Sequence, residues 1–254
     1  PFILRRRKQD VATELPPRTE TILRVQLQGK QRELYEAVRT TADKQVRRAL
    51  ERQGFEGSQI AILDALLKLR QVCCDPRLLK TGNHGGVPSA KFELLMEMLA
   101  GMAENGRHVI VFSQFVECLK LLREDLAEKS IPMHWLTGET TGRGDVVDAF
   151  ERDERPCVFM LSLKAGGTGL NLTAADYVFL LDPWWNPAVE RQAVDRAHRI
   201  GQTRQVIATR LVARNTIEAK ILKLQASKRA LADAVLTADK GGLAGIGREE
   251  LELL

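Results

Sequence analysis

The stretch NPAVERQAVDRAHRIGQ, Asn186 to Gln202, carries two arginines about one helical turn apart, Arg196 and Arg199. Asn186 is a natural N-cap, Pro187 a natural first helical residue and Gly201 a natural stop. These signals predict a helix from Pro187 to Ile200 that buries Val189, Ala193, Ala197 and Ile200. The other stripe holds Gln192, Asp195, Arg196 and Arg199, so both guanidinium groups face one way. Planar guanidinium pairs suit a phosphate. A solvated face with an Asp195–Arg199 pair accounts for the same stripe without any ligand.

A second segment, KAGGTGLNL from Lys164 to Leu172, has glycine at 166, 167 and 169. Such a turn after a strand can aim its N–H groups at a phosphate, or can simply make a tight connection. A third, PWWNP, sets Trp184 and Trp185 side by side at a strand end, where both cannot easily be core. What is missing is equally informative. There is no G-x-x-x-x-G-K-[ST], since the single Gly-Lys pair, Gly29-Lys30, is followed by Gln31. No acidic Asp-Glu-x-His follows a strand, and Asp153-Glu154 sits by Pro156 in an expected turn. Arginines for a phosphate without a phosphate loop or magnesium carboxylates look like half of an ATPase.

The elements that must position these residues are legible from about residue 90 onward. AKFELLMEMLAGMAENG, FVECLKLLREDLAEK and RGDVVDAFER read as helices. HVIVFS, MHWL, CVFMLSL, YVFLLD and QVIATRLV read as short, apolar strands. Strands alternating with amphipathic helices predict a parallel sheet covered on both faces, with ligands beyond the carboxyl ends of the strands. Upstream, Leu34, Val38, Val46 and Leu50 recur at helical intervals, and SQIAILDALLKLRQVCCDP continues the helix with Ser58 as its cap. The first 20 residues, with a basic cluster and two adjacent prolines, read as an extended connector. TIEAKILKLQASKRALADAVL predicts a long final helix.

The 254 residues and 44% hydrophobic content suffice for one large domain, or one domain with a helical appendage. The net charge of +5 is compatible with a polyanionic partner without requiring one. Cys73, Cys74, Cys118 and Cys157 form neither a C-x-x-C pair nor a zinc pattern, so no metal site is expected and a reducing compartment is. No apolar run is long enough to span a membrane. Pro1 in place of methionine suggests a piece of something longer.

VIVFSQF, LSLKAGGTGLNL, DPWWNP and QAVDRAHRIGQ, in this order and spacing, resemble motifs IV, V, Va and VI of the SWI/SNF-type ATP-dependent double-stranded DNA translocases of helicase superfamily two. PFILRRRKQDVATELPPRTE resembles the segment leading into that family's second RecA-like lobe, and the final helix resembles its brace. The resemblance implies a RecA-like three-layer α/β sandwich with a mainly parallel sheet. It divides the chain into a connector from the first lobe (1–21), a helical protrusion (22–88), the second motor lobe (89–214) and a brace helix with tail (215–254).

It further implies that ATP lies between two lobes, with its magnesium and phosphate loop on the first, and that duplex DNA crosses both. Arg196 and Arg199 then match arginine fingers, and Gln192 the glutamine that opens motif VI. Gly167, Gly169 and Gln114 fall near the nucleotide. Ser162, Lys164 (often arginine in the family) and Trp185 fall on the DNA. Partners would be double-stranded DNA, the first lobe and a DNA-bound protein to be remodelled, in a bacterial or archaeal nucleoid or a eukaryotic nucleus. The short insertions favour a bacterial or archaeal parent. The alternatives are an RNA helicase lobe, whose motif VI usually has Arg where this chain has Gln202, and a RecA-like module that binds a partner but no nucleotide.

Overall fold

A computed structural model describes residues 14–165 and 169–237, without the side chains of residues 228–237. Six strands are present among these residues: β1 (Arg18–Val25), β2 (Val109–Ser113), β3 (Met133–Leu136), β4 (Val158–Ser162), β5 (Tyr177–Leu180) and β6 (Val206–Ala213). The helices are α1 (Gly29–Cys74), α2 (Ala90–Glu104), α3 (Val116–Glu128), α4 (Arg143–Arg152), α5 (Pro187–Val194) and α6 (Ile217–Thr237). The strands form one sheet in the order β1-β6-β5-β2-β4-β3, with every neighbouring pair parallel.

Both faces of the sheet are covered, which is why β2 and β4 are buried at every position. Val109, Val111, Val158, Met160 and Phe179 pack on one side against Phe92, Leu95 and Leu99 of α2 and Leu119 and Leu122 of α3. The alternating residues Ile110, Phe112, Phe159, Leu161 and Val178 pack on the other, against Phe150 of α4 and Ala193 and Val194 of α5. The three layers are those of a RecA-like sandwich. A third apolar cluster, including Tyr35, Leu66, Leu69 and Ile217, seats α1 against the start of α6.

Three local expectations are corrected. Arg18–Val25 is a strand of the sheet, so the expected connector boundary at 21/22 falls inside β1. Its hydrogen bonds to β6 order a segment whose own residues are mostly exposed. Ser58 is not the cap of a fresh helix: α1 breaks earlier, at Gly54 (φ 65°, ψ −171°), and the Ser58 hydroxyl donates back to Gly54 O at 2.6 Å. The helix from Pro187 stops at Val194 rather than Ile200, and Ile200 is 70% exposed rather than core.

Candidate functional site

The carboxyl ends of β2, β4 and β5 open onto a cleft of about 700 Å³. Gln114, Lys164, Trp184, Trp185 and Gln192 line it, and Leu63 and Leu67 of α1 form a wall. The sequence therefore named residues that four separate segments bring to one place. Lys164 and Gln192 are exposed, whereas Gln114 and Trp185 are half-buried.

Arg70, near the end of α1, organises this cleft. It is 3% exposed and pairs with the fully buried Asp182 at 3.3 Å, just after β5. Its Nη2 also donates to Pro183 O at 2.8 Å. Phe115, Trp184 and Trp185 surround the guanidinium, each ring centre 5.4–5.5 Å away. Such contacts contribute about 0.5–2 kcal/mol each, more as water is excluded. Asp182 accepts from Ser113 Oγ at 2.5 Å and from Gln114 N at 3.2 Å, which fixes the chain after β2. Burial pushes the Asp182 carboxyl above its ordinary value, against the pull of Arg70 and Ser113. The adjacent tryptophans are accommodated by dividing them: Trp184 packs toward the α5 side of the sheet and Trp185 toward the base of α1.

Beyond Val194 the chain continues in tight turns. Arg196 N bonds Ala193 O, Ala197 N bonds Val194 O, and Gln202 N bonds Arg199 O. Arg196 and Arg199 thus sit on a turn, not on a continuous helical stripe with Gln192. The Asp195–Arg199 pair is replaced: Asp195 takes Arg18 of β1 at 3.0 Å, and Arg199 Nη1 donates to Leu170 O at 3.4 Å. Leu172 N bonds Arg196 O, so this turn is knitted to the glycine-rich segment. Gly169 in that segment has φ +54°, a conformation that side chains strain against, and no atom of the other described residues lies within 4 Å of where its Cβ would be. Gly167 lies outside the described residues. Gln202, buried, donates to the carbonyls of Thr173, Ala175 and Ala197 and so staples the same two segments.

Ser162 is 4% exposed, and its hydroxyl accepts from Ala165 N at 3.3 Å, which caps the turn after β4. The residues do not fit magnesium. Among the described residues, the cluster of potential ligands is His134, Asp153 and Cys157. It sits at the amino ends of β3 and β4, away from the cleft, and lacks the oxygen shell magnesium takes. No helix among them is long and apolar enough to cross a membrane.

Sequence reasoning missed the buried charges. Lys91 and Glu218 are both fully buried and pair at 2.7 Å, and Lys91 also donates to Leu181 O. Glu190 is fully buried and accepts from Trp184 N, Gln225 Nε2 and Arg210 Nε. The available signal was weak: a lysine opening an apolar helix, and a glutamate inside an otherwise apolar turn of α5.

Residues 90–201 match the family described as the helicase conserved C-terminal domain, and residues 1–78 match the SNF2-related domain. The chain is 37% identical over 255 residues to an "Uncharacterized ATP-dependent helicase" of Mycoplasma pneumoniae, covering 99% of this chain and 24% of that protein. It spans about a quarter of the length of such curated relatives. Among solved structures, it matches the C-terminal domain of the Sulfolobus solfataricus SWI2/SNF2 ATPase, with TM-score 0.71, 30% identity, and 93% and 97% of the two chains covered. It also matches the core of that ATPase in complex with double-stranded DNA, with TM-score 0.69 and 34% identity, over 93% of this chain and 50% of the other.

Proposed function

Since this chain belongs to the SWI2/SNF2 family, as the second RecA-like lobe of a superfamily-two helicase ATPase, we propose that it serves as half of a motor that ATP hydrolysis drives along double-stranded DNA. The observation that carries this reading is the join between the Arg196–Arg199 turn and the Gly169–Leu172 segment, in a lobe whose cleft is lined by Lys164, Gln114 and Trp185. Arg196 and Arg199 meet phosphate charge presented by the first lobe, whose phosphate loop and magnesium carboxylates complete the site. They stabilise the transferred phosphoryl group once the lobes close. Gln192, on the last helical turns before them, lines the cleft, and Gly167 and Gly169 let the backbone approach the nucleotide. Lys164 and Trp185 hold the duplex.

The deciding experiment is ATP turnover by a polypeptide carrying both lobes, with and without duplex DNA. Duplex stimulation is expected. Stimulation by single-stranded RNA alone would favour an RNA helicase lobe, and no turnover at all would favour a partner-binding module. The chain by itself is expected to hydrolyse no ATP.

Lys164→Ala is expected to weaken duplex binding and to make its salt dependence shallower. One phosphate contact fewer lowers the slope of log affinity against log salt by about 0.9. An unchanged slope in a salt titration takes Lys164 off the DNA.

A further inference from the structure

One continuous run of polar contacts links the arginine-bearing turn to the tryptophan loop by way of β1. It begins at Asp195, next to Arg196, which pairs with Arg18 Nη1 at 3.0 Å. Arg18 Nη2 pairs with Glu20 at 2.9 Å, two residues along the same strand face. Glu20 pairs with Arg210 Nη1 of β6 at 2.9 Å, and Arg210 Nε pairs with Glu190 at 2.8 Å. Glu190 ends the run by accepting Trp184 N at 2.7 Å, while Gln225 of α6 donates to the same oxygen at 2.8 Å. A second tie runs parallel at the first end, where His198 Nε2 lies 2.8 Å from Pro16 O.

Stability alone does not call for this arrangement. Buried ion pairs are often matched or surpassed by apolar side chains of similar size, and Arg210 and Glu190 are 6% and 0% exposed within an apolar layer. Arg210 Nη2 is also buried with no hydrogen-bond partner among the described residues, a cost that an apolar side chain would not carry. The route matters too. Trp184 and Asp195 are near in sequence, yet the contacts pass through a strand 177 residues away from Asp195.

We propose that Asp195, Arg18, Glu20, Arg210 and Glu190 form a coupling relay, so that the setting of β1 biases the Arg196–Arg199 turn and the Trp184–Trp185 loop together. Arg18 and Arg210 are positioning residues in it. In the motor reading, on which the functional side of this inference rests, β1 is where chain from the first lobe joins the sheet. Lobe movement then reaches the nucleotide side and the DNA side through one strand.

The test has two arms. The chain holds three tryptophans, so 5-fluorotryptophan labelling gives three fluorine resonances, with Trp135 as an internal reference on β3. Asp195→Asn and Arg18→Gln are expected to shift the Trp184 resonance and leave Trp135 in place, with Arg18→Lys shifting it less. A Trp184 resonance unmoved by both Asp195→Asn and Arg18→Gln overturns the relay. The second arm is a double-mutant cycle on duplex-stimulated turnover in the two-lobe polypeptide, using Arg18→Gln and Trp185→Ala. Coupled sites give fold losses that fail to multiply, by a factor in the range of about 5–150. Losses that multiply cleanly overturn the functional relay. If duplex DNA stimulates nothing, the motor reading falls, and the fluorine arm still decides whether the two loops are coupled.

Discussion

Arg199→Ala, in a polypeptide carrying both lobes, is expected to lower duplex-stimulated ATP turnover by roughly 10³–10⁵-fold, with Arg196→Ala nearly as severe. ATP binding should be largely kept. The tight turns after α5 place Arg199 at the surface and Arg196 half-buried, with the apolar side of the turn anchored by Ala197, which is fully buried. Arg199 has one weak tie, to Leu170 O at 3.4 Å, which an incoming phosphate outcompetes. A guanidinium that meets charge only as the lobes close acts on the transition state, so its loss lowers turnover more than binding. Lysine should not rescue it, because a point charge lacks the planar fork. A surface arginine with no ligand would contribute at most about 1 kcal/mol to stability and nothing to rate. Turnover within about twofold of the parent, in a variant whose unfolding midpoint is unchanged, would remove the fingers from this turn.

Lys91→Met is expected to cost about 3–5 kcal/mol of folding stability, because it strands the buried Glu218 carboxylate. The lysine lies between three elements. It opens α2, bonds Leu181 O beyond β5 and pairs with Glu218 at the start of α6. Burial, the largest influence, disfavours the charged lysine, but the Glu218 carboxylate and the hydrogen bond to it, together with Cys74 and Cys73, raise the Lys91 pKa above its ordinary value. Glu218 also accepts from Ala213 N, so a stranded carboxylate disturbs the junction of β6 and α6. Urea unfolding measures the loss. The double variant Lys91→Met, Glu218→Leu should recover much of it, since an apolar pair of similar volume needs no charge solvation. A single variant with an unshifted midpoint would show that water reaches this pair.

Most of the fold was legible because its strands announce themselves. VIVFS and VFMLS are apolar at nearly every position, as strands buried on both faces must be. β1 was not legible for the converse reason. RTETILRV lies at the sheet edge and carries Arg18, Glu20 and Arg24, so its order comes from β6, nearly 190 residues away, and not from its own apolar content. In the candidate site, glycine and tryptophan spacing located the loops at the strand ends. Periodicity overran the end of α5, because Asp195, Arg196 and His198 are drawn to Arg18, Leu172 and Pro16 by contacts that no local pattern encodes. Lys91, Glu190 and Arg210 stayed hidden for the same reason: a charged residue is read as solvated until its distant partner is known. Arg70 was hidden too, since nothing in LRQVCC points to a ring of aromatic side chains beyond β2 and β5.

The parallel register of β1 on β6 also has a mechanical side. The strand lies at the edge of the sheet and is matched to β6 over eight successive positions, Arg18↔Val206 to Val25↔Ala213. Tension applied along the strand axis by chain ahead of Arg18 loads these pairings together, in shear. Tension across the axis would peel them away one after another. The Arg18–Asp195 and Arg210–Glu20 pairs act as cross-ties near the pulling end and the middle of the strand. Load arriving along β1 would therefore be shared by all eight pairings at once instead of falling on one pair at a time.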